Sequence, residues 1–78
     1  MNLQEIETIV SELLIEKLVI SETEISFKSA IKDLGADSLD EVEIIIEIEK
    51  KFGITIPDDD ILQIQNIGEL CEYIEKKL

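Results

Sequence analysis

The chain has 78 residues and a net charge of -12, with no histidine and no tryptophan, and all seven of its positive charges are lysines. That balance excludes nucleic acid as a partner, because phosphate contacts need clustered cations. Without histidine there is no Ser-His-Asp or Cys-His catalysis and no Cys/His zinc cluster, so no catalytic residue, no metal site and no enzyme activity are expected.

No apolar run approaches the ~20 residues that cross a bilayer, and an acidic surface is repelled by anionic lipid. A soluble, cytoplasmic protein without membrane insertion is expected. Its partners should present basic patches, with attraction that weakens as salt rises. One cysteine precludes an internal disulfide, in keeping with a reducing compartment. At this length only about 60% of the unfolded chain's surface is buried on folding. The Ile- and Leu-rich apolar fraction then suits a single small helical domain, residues 1–78.

From Asn2 to about Leu18, Leu3, Ile6, Val10, Leu13 and Leu14 recur at steps of three and four, which predicts a first amphipathic helix. Asn2 with Glu5 three residues on is its cap. Between Val19 and Asp33 the period is lost, predicting a long loop pinned by some of Ile25, Phe27 and Ile31. A short strand fits the alternation but has no obvious partner.

Leu34-Gly35-Ala36-Asp37-Ser38-Leu39 then offers a glycine turn, an acid and a hydroxyl before a second helix that runs to Phe52. Ser38 with Glu41 reads as a capping box, whose hydroxyl accepts from a first-turn N–H. The same position lies at the positive end of the helix dipole, where a phosphate is favoured. On the helical wheel Asp40, Glu43, Glu47, Lys50 and Lys51 share one side. Val42, Ile45, Ile48 and Phe52 lie opposite and are expected to face the core. Leu39 and Ile46 fall at the edge, either as a second packed side or as an apolar patch for a docking partner.

Gly53 ends this helix, and Ile54-Thr55-Ile56-Pro57 is extended. Asp58-Asp59-Asp60 opens a short third helix carrying Ile61, Leu62 and Ile64. The three acids read as solvated helix caps, or less favourably as a loose divalent-cation site, since they lack the spacing of a calcium loop. Asn66 caps the last helix, Ile67 to Leu78, whose apolar face is Ile67, Leu70, Cys71, Ile74 and Leu78. Cys71 on that face is a small core residue rather than a nucleophile. The expected fold is all-α: a small four-helix bundle with a long loop between the first two major helices and a short third helix.

Leu34-Gly35-Ala36-Asp37-Ser38-Leu39-Asp40 resembles the attachment motif of acyl carrier proteins. The likeness continues through Val42-Glu43-Ile44, Phe52-Gly53-Ile54-Thr55-Ile56-Pro57-Asp58 and Tyr73-Ile74, over nearly the whole chain. The resemblance implies that Ser38 carries 4′-phosphopantetheine, delivered from coenzyme A by a phosphopantetheinyl transferase. Acyl groups then ride on the arm as thioesters in fatty acid synthesis. It further implies docking of basic partner enzymes on Asp37, Leu39, Asp40, Glu43, Ile46, Glu47 and Glu49, an acyl cavity lined or flanked by Val42, Ile44, Ile48, Phe52, Ile56 and Ile64, and a monomer. Two departures stand out: Lys50 and Lys51 replace acids usual on the docking helix, and Ala30 replaces a frequent phenylalanine, whose packing Phe27 is expected to take over. The alternatives are a carrier for polyketide, peptide or D-alanine transfer, or an unmodified acidic helical adaptor in which Ser38 is only a cap.

Overall fold

A computed structural model describes all 78 residues: four α-helices, α1 (Leu3–Leu18), α2 (Ser38–Phe52), α3 (Asp58–Gln63) and α4 (Ile67–Lys77), with two single 3₁₀ turns, Glu22–Glu24 and Ile31–Leu34, in the long α1–α2 loop. The helix α1 starts where the Asn-x-x-Glu spacing puts it. Glu5 N–H donates to Asn2 Oδ1 at 2.8 Å, and Asn2 N–H donates to Glu5 Oε1 at 3.1 Å. The reciprocal pair satisfies two backbone donors that the helix leaves free.

One core holds the elements together. It is built from Ile6, Val10 and Leu14 of α1, Ile44, Ile48 and Phe52 of α2, Ile56 of the extended linker, and Ile67, Leu70, Cys71 and Ile74 of α4. The 3.6-residue period explains the selection within α1 and α4, since the α1 set recurs at steps of four and the α4 set at steps of three, one and three. Leu78, expected on the α4 face, is instead exposed, as are Glu75, Lys76 and Lys77 before it, because the core ends at Ile74.

The structure rotates α2 from the expected phase. Ile44, not Val42, occupies the core, and Val42 is 56% exposed. The helix packs on α1 along its Ile44–Ile48 ridge, which turns Val42 outward and leaves Ile45 half-covered.

The long loop contains no strand. It is fastened through the start of α4, where Ile67 N–H donates to Ser29 O (3.0 Å) and Gly68 N–H to Phe27 O (2.8 Å). Glu69 N–H takes the Asn66 side chain at 2.7 Å. The free donors of the first turn of α4 are thus all used, two of them to hold the loop. The approach is close enough to demand glycine: a Cβ at position 68 lies 2.9 Å from the Phe27 carbonyl oxygen. Gly68→Ala therefore forces a backbone shift of the kind that costs about 1–3 kcal/mol, against a helix-propensity gain of at most ~1 kcal/mol. The expected net effect is a melting temperature lowered by several degrees, read by thermal circular dichroism. An unchanged or raised value contradicts the tight contact.

At α3 the three acids divide. Asp58 and Asp59 are exposed, whereas Asp60 accepts a 2.5 Å hydrogen bond from the Tyr73 hydroxyl on α4. The Lys77 ammonium lies 5.4 Å from the Tyr73 ring centroid, within cation–π range. The bond to Asp60 is the main reason the Tyr73 phenol is raised to about 12, with burial and the Asp60 charge adding to it. A raised folded-state value means the link stabilises fully below the ordinary phenol range near 10 and is lost as pH rises toward 12. Tyr73 is the chain's one tyrosine, so tyrosinate absorbance reports it alone. The expected midpoint is near 12 in the native protein and falls toward the ordinary value in Asp60→Ala. A midpoint that ignores the substitution contradicts the bond.

Candidate functional site

The site begins at the second 3₁₀ turn. Gly35 N–H donates to Lys32 O at 3.1 Å, and Gly35 has φ 93°, a left-handed conformation that favours glycine. This reverses the chain so that Ala36 tucks inward and Asp37 stands at the mouth of α2.

Here the structure corrects the sequence reading. Ser38 is not the N-cap; Asp37 is. Asp40 N–H donates to Asp37 Oδ1 at 2.8 Å, and Asp37 N–H donates to Asp40 Oδ2 at 3.3 Å. Asp37-x-x-Asp40 and Ser38-x-x-Glu41 are overlapping boxes in the sequence. The aspartate supplies a full negative charge where the helix dipole is positive, which a hydroxyl does not. Ser38 becomes the first residue of the helix, exposed, with its hydroxyl unused by the cap. A nucleophilic oxygen is therefore presented to solvent on a rigid element, beside free backbone donors that favour a phosphate.

Leu39 (65% exposed), Val42 (56%) and Ile46 (42%) form one outward stripe running down α2 from Ser38, at steps of three and four. Leu39 and Ile46 are thus exposed rather than a second packed side, and Val42 joins them rather than the core. The acids expected around them are not equivalent. Asp37 and Asp40 are bound to each other. The Glu43 carboxylate pairs with Lys17 Nζ at 3.2 Å. Glu49 is half-buried, and its carboxylate accepts the Ile56 N–H at 2.8 Å, fixing the linker after α2. Glu47 alone stands exposed with no protein partner.

A cleft of about 450 Å³ opens on the other side of α2, between that helix, α3 and the long loop. Its apolar wall includes Ile31, Ile45, Ile61, Ile64 and Leu70, and Glu41 and Lys32 stand among them. Of the residues expected to line or flank a cavity, Ile64 does so. Ile44, Ile48, Phe52 and Ile56 are sealed in the core, and Val42 faces out. Ala30 is on the cleft wall, whereas Phe27 lies at the edge of α1, so Phe27 does not take over packing there. The residues missed, Ile31, Ile45, Ile61 and Leu70, are apolar positions in or beside predicted elements. Their convergence depends on how α3 and the loop fold over α2.

Cys71 is buried, and its thiol is pushed up to about 12 by burial first and by the charges of Glu7 and Glu72 next. It is a core side chain, not a nucleophile. No group of three or more His, Cys, Asp or Glu side chains converges as a metal site, and no helix is long and apolar enough to cross a membrane.

Comparison with known proteins agrees with this geometry. Residues 8–74 match the family described as the phosphopantetheine attachment site. The acyl carrier protein of Porphyromonas gingivalis is 40% identical over 77 residues, covering 97% of this chain and 99% of its own. That of Thermotoga maritima is 40% identical over 76 residues, covering 96% and 94%. A solution structure of a candidate acyl carrier protein from Anaplasma phagocytophilum superposes with a TM-score of 0.85 at 31% identity, over 94% of this chain and 88% of the other. A serine held free at a helix start, an acidic second helix and a cleft beside it, together with these full-length matches, show that the chain belongs to the acyl carrier protein family.

Proposed function

We propose that this acyl carrier protein bears its phosphopantetheine arm on Ser38 and serves fatty acid synthesis in the cytoplasm as a monomeric carrier. The observation that carries the assignment is the division of labour at the start of α2. Asp37 does the capping, so the Ser38 hydroxyl is exposed and uncommitted. The residues fit the group: the oxygen is accessible, and the helix N-terminus is electrostatically suited to a phosphodiester. In attachment, Ser38 Oγ bonds to the β-phosphorus of coenzyme A as the bond to the nucleotide's bisphosphate breaks, and the serine proton passes to a base on the transferase. Once in place, the arm supplies a terminal thiol on which acyl groups are held as thioesters.

This chain's own residues supply address and shelter. Basic partners meet Glu47, Glu43 and the Asp37–Asp40 pair, and their apolar side chains meet Leu39, Val42 and Ile46. Glu47 has no competing contact, so Glu47→Lys is expected to lower kcat/KM for the transferase about tenfold at low salt, an effect that shrinks as salt rises. Glu43→Lys acts less, because the Lys17 pair must first be given up. Equal kinetics for Glu47→Lys and the native protein at low salt would count against this surface. Glu49, engaged with the Ile56 backbone, is assigned to the fold rather than to docking.

The pathway is tested by offering the arm-bearing protein malonyl-coenzyme A with a malonyl transferase, and separately D-alanine with ATP and a D-alanine ligase. Malonyl loading alone, read by intact mass, supports fatty acid synthesis. D-alanyl loading alone overturns that pathway while leaving the carrier assignment intact.

A further inference from the structure

The cleft beside α2 is not uniformly apolar. Glu41 sits on its wall, half-buried, with its carboxylate in no hydrogen bond or ion pair within the protein. Lys32, also on the wall, is exposed and makes no ion pair with it; the one ion pair of the chain is Lys17–Glu43. Glu41 lies three residues past Ser38, about 4.5 Å along the helix axis, so of the α2 residues on the wall it is the nearer to the attachment point. Ile45, Ile61, Ile64 and Leu70 continue the wall beyond it. A chain that runs from Ser38 along α2 into the cleft meets Glu41 before Ile45.

Covering an ionised carboxylate with a saturated chain strips its water and returns no hydrogen bond, which is strongly unfavourable. A chain with a donor at the matching point replaces the lost water with a charge-assisted bond. Resting on the carrier assignment above, we propose that Glu41 selects the sheltered cargo: the cleft takes acyl chains bearing a hydroxyl near the thioester in preference to unsubstituted chains of the same length. The hydrocarbon remainder then lies on Ile45, Ile61 and Ile64.

The test loads the protein with octanoyl or 3-hydroxyoctanoyl arms from the corresponding coenzyme A thioesters, using a permissive transferase. Loading is confirmed by intact mass, and melting temperatures are compared with the form bearing the unacylated arm. In the native protein the hydroxyacyl form is expected to melt at least about 4 °C above the octanoyl form. In Glu41→Val the order reverses, and in Glu41→Gln, which keeps the side chain's shape should the valine variant fold poorly, the gap narrows. Each comparison is made within one variant, so a change in its basal stability cancels. Equal melting of the two native acyl forms, or a gap unchanged in Glu41→Gln, overturns the selection while leaving the carrier assignment standing. Failure of the native protein to load, with a transferase active on a control carrier, removes both.

Discussion

Ser38→Ala and Asp37→Ala, adjacent substitutions, are expected to fail in opposite ways. Ser38→Ala should melt within about 2 °C of the native protein, because the side chain it removes is not the cap and alanine is a good first helical residue. It should accept no phosphopantetheine at all. Asp37→Ala removes the acceptor for the Asp40 N–H and the charge at the positive helix end. That change costs about 1 kcal/mol, or about 4–8 °C for a domain of this size. It should still be modified, more slowly, because the nucleophile remains while its helix frays and one docking acid is gone. Thermal melts and loading rates on the two proteins check both halves. Were Ser38 the cap, the stability loss would fall on Ser38→Ala instead.

The second large effect is expected in the core. Ile48 is fully buried in the middle of α2. Truncating such a side chain to alanine costs about 2–5 kcal/mol, the transfer term plus the cavity left behind. A 78-residue chain has total stability near the lower end of the usual 5–15 kcal/mol, and here a net charge of -12 adds self-repulsion. Ile48→Ala should therefore lose a large share of its native population at 37 °C. The urea midpoint should fall with little change in slope. Val42→Ala, six residues earlier on the same helix, should change stability by less than about 0.5 kcal/mol because the side chain is exposed. If the two substitutions cost the same, the rotation of α2 described above is wrong.

That rotation marks where the sequence stopped being informative. Helix existence and ends were legible because local chemistry decides them: Asn2 with Glu5, Asn66 before Ile67, Gly53 after Phe52 and the extended Ile-x-Ile-Pro stretch act within a turn of themselves. The buried stripes of α1 and α4 were legible for the same reason, with one clear apolar face each. In α2 apolar residues cover most of the wheel, so periodicity alone admits either Val42 or Ile44 at the core, and contact with α1 decides. The choice between two overlapping capping boxes was open in the same way. So was the loop, whose anchorage comes from two donors of α4, some forty residues later in the chain.

The candidate site shows the same division. Ser38 at the start of α2 and Leu39 and Ile46 at the edge of its apolar arc followed from position on one helix, but whether that edge packs or faces out did not, and Val42 fell on the wrong side. The unequal roles of the acids could not be read from sequence. That Glu43 is paired with α1, Glu49 with the linker and Asp60 with α4 depends on partners 26, 7 and 13 residues away. The cleft, assembled from the loop, α2, α3 and α4, lay furthest from the reach of pattern, and most residues expected there belong to the sealed core instead.

The most direct test of the account is a peptide-level mass measurement. The native protein is incubated with coenzyme A, magnesium and a phosphopantetheinyl transferase, then digested and sequenced by fragmentation. One phosphopantetheine per chain is expected, wholly on Ser38, with Ser11, Ser21, Ser26 and Ser29 unmodified. A folded protein that gains no mass while a control carrier is modified, or that carries the group on another serine, contradicts it.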